Sequence, residues 1–285
     1  MMRMRVHHVS RYSYDQAVTV SFNEARLSPL ATPFQQPLET VTRIEPATWQ
    51  HRYVDYWGTR VQVFEVQHQH RELMVETTSL VETNASLIPE PDLTIGWDEL
   101  GTHDLRSEYA EYLTQTAATE PDGQLAELIA QAESLARELT PHEAALAVCA
   151  WVHQVMTYEP GSTGVATVAA EAWAARAGVC QDYAHIVLAA LRHIGLPARY
   201  VSGYLHPDSE PSLGEVVAGE SHAWVEWWLG EWHGHDPTND TAAGERHVLV
   251  GRGRDYSDVP PIKGIIAGPA SNSRLEVAVD LTRLS

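Results

Sequence analysis

The sequence contains two cysteines, Cys149 and Cys180, among its 285 residues. Two cysteines are too few for a disulfide framework, and such scarcity fits a reducing compartment, so we expect both thiols to be free. Long hydrophobic runs are lacking as well. The first residues carry no apolar segment of the kind that directs secretion, and no later run approaches the length of a membrane span. These features predict a cytoplasmic protein that does not interact with membranes.

Basic residues are also scarce. The sequence has 38 acidic and 19 basic residues, which give a formal net charge of −19. Because nucleic acids and anionic membranes repel such a surface, we expect neither as a partner. The first 90 residues contain no glycine-rich phosphate loop and no basic patch. Hydrophobic residues make up 44% of the chain, which is enough for the core of one large domain or two ordinary ones.

Cys180 is predicted to be the first residue of a helix. Apolar or small residues recur at helical spacing from Cys180 to Ile194, Gly178 permits a sharp turn before them, and Gly195 with Pro197 ends the run. In the first turn of a helix, free backbone N–H groups and the positive end of the dipole favour an anion. Cys180 is therefore either a small residue capping a core helix or a nucleophile that reacts as its thiolate.

Residues downstream favour the nucleophile, because a predicted β-hairpin supplies a base and a carboxylate. Two strand-like runs, residues 221–228 and 232–237, read as its strands. His222 lies near the start of the first strand and Asp236 near the end of the second. The order Cys, His, Asp provides a nucleophile, a base and an acid that orients the base.

The turn of the hairpin determines whether His222 and Asp236 can meet. A three-residue turn centred on Gly230 pairs Trp228 with Trp232, and it puts Asp236 on the same face as His222, within diagonal reach. A two-residue turn would put the two side chains on opposite faces, because a slip of one residue turns every side chain over. The triad therefore requires the three-residue turn or a bulge.

Three sequence blocks resemble the bacterial transglutaminase-like superfamily. They are Gly-Val-Cys-Gln-Asp-Tyr-Ala-His at 178–185, Ser-His-Ala-Trp-Val-Glu at 221–226 and His-Asp-Pro-Thr-Asn at 235–239. The preceding β-rich segment resembles the amino-terminal region that is often fused to such catalytic domains. The resemblance implies that Cys180 is the nucleophile, His222 the base and Asp236 the acid that orients the histidine. Nothing matches the calcium sites of animal transglutaminases, so calcium activation is not implied.

Pattern and resemblance together predict an α+β protein. A β-sandwich is expected in residues 1–90, followed in residues 91–285 by a helical segment and a papain-like, transglutaminase-like catalytic domain with its core at about 140–241. Predicted strands lie at 18–26, 38–45, 49–56, 60–67 and 73–81, with a last strand at 274–281. Predicted helices lie at 104–116 and 124–139, and a third begins at a capping box of Thr140, Pro141 and Glu143.

The implied activity is thiol-dependent acyl transfer on a peptide or protein amide through a thioester, without a cofactor or metal. We favour water as the acceptor, which makes the protein a peptidase or amidase rather than a protein-glutamine transamidase. Trp224 and Glu226 share the predicted face of His222, and a transamidase could use them to bind an amine. The Cys180 N–H is a natural oxyanion donor, but the sequence does not identify a second.

Two other interpretations remain open. In the first, His233 and His235, with Asp236 and either His222 or His206, bind a metal ion. In the second, the tryptophans at 224, 227, 228 and 232 form a recognition surface for sugar or peptide and the triad is a relict. Tyr158 and Trp173, which precede Cys180, are candidates either to border the active site or to pack in the core.

Overall fold

The structure is a computed structural model that describes residues 1–270 and 272–285. The amino-terminal half contains β1 (Met2–Val18), β2 (Val20–Ala25), β3 (Gln35–Glu45), β4 (Trp49–Val54), β5 (Arg60–Val66), β6 (His70–Thr83), α1 (Trp97–Leu100), α2 (His103–Glu108), α3 (Ala110–Leu113), α4 (Ala126–Glu138) and α5 (Pro141–Val155). The remainder contains β7 (Thr157–Tyr158), α6 (Ala169–Ala175), β8 (Ala177–Gly178), α7 (Cys180–His193), β9 (Ala198–Leu205), β10 (Val216–Gly219), β11 (Ser221–Leu229), β12 (Glu231–Asp236), β13 (Thr241–Ala242), β14 (His247–Gly253), β15 (Ile262–Ala267) and β16 (Ser273–Arg283).

Two antiparallel sheets form the predicted sandwich. Their strand orders are β10-β16-β1-β6-β3 and β15-β2-β5-β4. Inward-facing side chains of both sheets fill the core between them, among them Phe64 and Val66 from β5 and Leu73 and Val75 from β6. The five strands predicted in this region are all present, as β2 to β6, and the predicted α+β class is confirmed.

The long strand β1 was not singled out from the sequence, because its inward face carries polar side chains. His8 and Ser10 are both buried and hydrogen-bonded to each other, with His8 Nε2 2.9 Å from Ser10 Oγ. The other ring nitrogen, His8 Nδ1, lies 3.0 Å from the hydroxyl of Tyr204 in β9. These polar groups interrupt the apolar alternation that marks a half-buried strand.

The last strands of the chain complete the sheets of the sandwich. The final predicted strand is confirmed as β16, which lies between β10 and β1, and β15 pairs with β2. Both sheets of the sandwich therefore contain strands from residues 1–90 and from residues 91–285. The division of the chain between these two ranges stays a prediction.

A third sheet, of order β13-β12-β11-β9-β14, carries the helices on one face. Helix α7 lies at the centre of this layer: residues 181–192 are all buried, between the sheet on one side and α4, α5 and α6 on the other. Each aliphatic side chain removed from water contributes about 1.5–3 kcal/mol. The packing of α7 therefore holds its first residue in a fixed position over the sheet.

Of the four predicted helices, three are present as expected, including α7, and one is broken. Helices α4 and α5 match, and α5 has its capping box, with the Glu143 N–H donating to Thr140 Oγ1. The predicted helix at 104–116 is wrong: it divides into α2 and α3 at Tyr109, whose ring packs 4.6 Å from that of Trp228. In the described residues, no helix is long and apolar enough to cross a membrane.

Candidate active site

Cys180 is the first residue of α7, as predicted, and its position is fixed by the residues around the helix start. The Val179 N–H donates to Asp182 Oδ2 at 2.8 Å, and Thr163 Oγ1 donates to the same oxygen at 2.6 Å. A Cβ at Gly178 would lie 2.7 Å from that of Asp182, so only glycine allows this approach. As the first helical residue, Cys180 keeps a backbone N–H that has no acceptor within the helix.

Both cysteines are free thiols, as expected, and their surroundings differ. Cys180 is half-buried and lines a cleft with a volume of about 390 Å³. Cys149 lies on α5 and is completely buried in the hydrophobic core, and burial raises the pKa of its thiol well above the usual range. The structure therefore leaves Cys149 as a core residue and Cys180 as the cysteine that a reagent can reach.

The hairpin of β11 and β12 has the register that the triad requires. Trp228 pairs with Trp232, which centres the turn on Gly230, where φ is +76°. His222 and Asp236 therefore reach each other diagonally, with His222 Nε2 2.7 Å from Asp236 Oδ2. Of the two arrangements that the triad allows, the structure has the three-residue turn.

Asp236 is fully buried, and hydrogen bonds surround its carboxylate. Oδ2 accepts from His222 Nε2, from Asn239 Nδ2 at 2.7 Å and from His247 Nε2 at 3.4 Å. Oδ1 accepts from the backbone N–H groups of Thr238 and Asn239 at 3.0 and 3.3 Å. Burial raises the pKa of Asp236, but the bonds from His222, His247 and Asn239 outweigh it and hold the pKa far below its ordinary value. The carboxylate is therefore ionised.

His222 lies between Asp236 and Cys180. Burial lowers the pKa of His222, but hydrogen bonding to Asp236 and Cys180 outweighs burial and raises the pKa to about 10. Because Nε2 faces Asp236, Nδ1 is the ring nitrogen left to interact with the thiol. His222 is therefore protonated at neutral pH, and its imidazolium lines the same cleft as Cys180.

His247 is a third member of this cluster that sequence reasoning missed. Its Nδ1 accepts the Gly244 N–H at 3.1 Å, so the ring proton is on Nε2, which faces Asp236. Burial, countered by the bond to Asp236, lowers the pKa of His247, which keeps the ring neutral. No sequence motif surrounds His247. Asn239 could have been noticed, because it follows Asp236 by three residues and an Asp side chain often bonds backbone N–H groups a few residues further along the chain.

The structure does not bring together the histidines of the alternative metal interpretation. In the described part of the chain, the metal-type ligand atoms that lie within 4.8 Å of one another belong to His222, Asp236 and His247. His235 instead bonds to Asp240, with Nε2 3.1 Å from Oδ1. A ligating imidazole offers a lone pair, but His247 Nε2 carries a proton. The donor set therefore fits a hydrogen-bonded triad better than a metal centre.

The tryptophans of the hairpin do not form an open recognition surface. Trp224 and Trp227 are fully buried, in clusters on opposite faces of the third sheet. Trp228 packs against Tyr109, and the Arg199 guanidinium lies 3.8 Å from the centre of the Trp232 ring. These rings therefore pack within the fold.

The suggestion that Glu226 lies near the nucleophile and attracts an amine is wrong. Glu226 is buried, and its Oε2 accepts from Arg199 Nε at 2.6 Å and from Arg252 Nε at 3.0 Å. Its charge is thus already neutralised. Trp224 does lie beside His222, with ring centroids 6.3 Å apart, but it is buried behind the histidine.

The two residues before Cys180 that were left open have different roles. Trp173 is buried, and its ring packs against Trp151 with centroids 5.1 Å apart. Tyr158 is 44% exposed and lines the cleft that contains Cys180. Trp173 is therefore a core residue, and Tyr158 borders the site.

Two family models match this chain. The bacterial transglutaminase-like N-terminal region matches residues 4–82, and the transglutaminase-like superfamily model matches residues 129–237. An uncharacterized protein of Mycobacterium leprae is 42% identical over 286 residues, covering 100% of both chains. The chain belongs to the transglutaminase-like superfamily. The region matched to this superfamily contains Cys180, His222 and Asp236, whereas His247 lies beyond it.

Two further comparisons place this transglutaminase-like protein. The crystal structure of a proposed cysteine protease from Cytophaga hutchinsonii has a TM-score of 0.73 at 20% identity, covering 99% of this chain and 97% of the other. A protein-glutamine gamma-glutamyltransferase of Pseudomonas aeruginosa is 33% identical over 113 residues, which are 36% of this chain and 17% of that protein. The first similarity shows a shared fold.

Proposed function

We propose that this protein is a cysteine-dependent acyl-transfer enzyme that cleaves amide bonds of peptide or protein substrates. The observation that carries the proposal is the position of His222, which bonds the buried Asp236 carboxylate at 2.7 Å and shares a cleft with Cys180. Membership of the transglutaminase-like superfamily supports the same chemistry.

In the proposed reaction, the Cys180 thiolate attacks the carbonyl carbon of a bound amide. A carbon–sulfur bond forms, and the electron pair of the carbonyl moves onto its oxygen. When this intermediate collapses, the carbon–nitrogen bond breaks and the leaving amine takes a proton from His222. The resulting thioester then reacts with an acceptor, whose proton returns to His222. Asp236 holds the imidazole in the orientation that both proton transfers need.

We favour water as the acceptor. The cleft is open to solvent at Cys180, and the Arg199 and Arg252 side chains neutralise Glu226. Transamidation requires a site that binds the amine and limits the access of water, and the buried tryptophans do not provide one. The proposed enzyme is therefore a peptidase or amidase.

Transamidation is the second candidate, and one residue favours it. Glu220 is exposed and lines the same cleft as Cys180 and His222, where its carboxylate could attract a cationic amine. The P. aeruginosa relative named for this activity is similar to 36% of this chain. Replacing Glu220 by Gln would weaken amine incorporation in a transamidase and leave hydrolysis unchanged.

A library of glutamine-containing peptides, offered with and without a primary amine and followed by mass spectrometry, tests the proposal. Wild-type protein should cleave or deamidate peptides, and Cys180→Ala should do neither. Amine incorporation that exceeds hydrolysis at modest amine concentration would reverse the preference for water. Turnover that survives in Cys180→Ala and disappears with a chelator would favour the metal interpretation.

A further inference from the structure

The oxyanion that forms during amide attack needs hydrogen-bond donors, and the Cys180 N–H provides one. Among the side chains lining the cleft, the Gln181 amide is engaged, since its Nε2 donates to the Val165 carbonyl at 3.4 Å. The phenol of Tyr200 is buried, with 2% of the residue exposed. Tyr256, the third tyrosine of the lining, is half-buried, so Tyr158 is the exposed phenol of the cleft.

The backbone of Tyr158 is tied to the segment that carries Cys180. Strand β7 pairs in parallel with β8, so that Tyr158 lies opposite Gly178, two residues before the nucleophile. The Thr157 N–H donates to the Arg176 carbonyl at 2.8 Å, and the Glu159 N–H donates to the Gly178 carbonyl at 3.0 Å. Tyr158 is therefore held at a fixed distance from the start of α7.

The side chain of Tyr158 lies where two hollows meet. One is the cleft of about 390 Å³ that contains Cys180, and the other has a volume of about 760 Å³ and is bordered by Asn239. His222 lines both as well. Among the described residues, no side chain or backbone group is hydrogen-bonded to the Tyr158 hydroxyl. A substrate that spans the two hollows would pass this free hydroxyl at Cys180.

We propose that the Tyr158 hydroxyl is the second oxyanion donor and that it acts together with the Cys180 N–H. The inference rests on the proposed function, since it concerns the same acyl-transfer step. As the carbon–sulfur bond forms, the carbonyl oxygen becomes negative and accepts hydrogen bonds from both donors. The phenol keeps its proton throughout, and both bonds weaken when the carbonyl re-forms and the amine leaves.

The electrostatics of Tyr158 support this role. Burial and the negative charge of the Cys180 thiolate raise the pKa of Tyr158 to about 12. A phenol in this position stays protonated over the working pH range and can donate a hydrogen bond, as an oxyanion donor must. Because the hydroxyl is already in place before charge develops, it stabilises the transition state without reorganisation.

Two reactions of the same thiol separate this role from a structural one. Acetylation by p-nitrophenyl acetate passes through an oxyanion, whereas alkylation by iodoacetamide displaces iodide at a saturated carbon and forms none. Both require the activated thiolate. In Tyr158→Phe, we expect acetylation of Cys180 to slow by about 100-fold and alkylation to keep the wild-type rate. Tyr53→Phe, which removes a phenol from β4 in the sandwich, is the matched control and should change neither rate.

The outcomes are distinguishable. Equal slowing of both reactions in Tyr158→Phe, or no slowing of either, would overturn the assignment of Tyr158 while leaving the nucleophile intact. If wild-type protein reacted with neither reagent at a rate above that of Cys180→Ala, the proposed function would fail together with this inference.

Discussion

Asp236→Asn perturbs the group on which the charge of His222 depends. The structure places donors on both oxygens of Asp236: three side-chain donors face Oδ2 and two backbone N–H groups face Oδ1. An amide at this position must turn its own NH₂ toward one of these sets. If the NH₂ faces His222, it donates to Nε2 and moves the ring proton to Nδ1, the nitrogen that must receive protons from the thiol and the acceptor.

The magnitude follows from the pKa of His222. Burial lowers the pKa of His222, and the hydrogen bond to Asp236 is the largest of the contributions that nevertheless raise it to about 10. Without the carboxylate, burial lowers the pKa toward or below the ordinary value of about 6.5. At pH 7.5, the imidazole would then be about one-tenth protonated or less. Alkylation of Cys180 should slow at least in proportion, and acyl transfer should fall by about 10⁴-fold, as it does in a serine-protease triad whose aspartate is replaced by asparagine.

The assay is the rate of iodoacetamide labelling between pH 5 and 9, with the labelled peptides separated by mass spectrometry. Cys149 is an internal reference, because its buried thiol should react slowly in both proteins. Asp240→Asn is the matched control, since Asp240 bonds to His235 and is not a partner of His222. If Cys180 in Asp236→Asn were labelled at the wild-type rate at every pH, the ion-pair reasoning would be refuted.

Three further outcomes can be measured. Gly178→Ala should impair both folding stability and acyl transfer, because the new Cβ would lie 2.7 Å from that of Asp182. A Cβ at Gly164 would lie in open space, so the control Gly164→Ala should change neither stability nor acyl transfer. Glu226→Gln should lower the free energy of unfolding by about 3–5 kcal/mol, since it leaves buried arginines without their charge partner, and Cys180 should still be alkylated. His222 has a pKa raised from about 6.5 to about 10. The stabilisation that protonated His222 gives the fold is complete below pH 6.5 and is lost as the pH rises through 10. In denaturant unfolding, the free energy of unfolding of the wild type should therefore fall across this range, and that of His222→Asn should not show this fall.

Local sequence signals predicted the elements of the site because those elements are set by short-range chemistry. The helix start at Cys180 depends on Gly178 and on the buried spacing that follows it. The register of the hairpin depends on Gly230, which adopts a positive φ at the turn. Such features are encoded within a few residues of each other.

What the sequence could not predict depends on contacts between distant segments. His247 reaches Asp236 from β14, a strand on the far side of β9 from the hairpin. Glu226 lies on the predicted face, yet Arg199 and Arg252 neutralise it. Alternation along one strand specifies a face but does not identify the partners that other strands bring to it.

We propose that Cys180 is an activated nucleophile that forms an acyl-enzyme. The most direct measurement is peptide mapping by mass spectrometry after p-nitrophenyl acetate is mixed with the protein and quenched in acid. We expect one acetyl group, carried by Cys180, in the wild type, and almost none in His222→Asn. An unmodified Cys180, or equal acetylation in the two proteins, would contradict it.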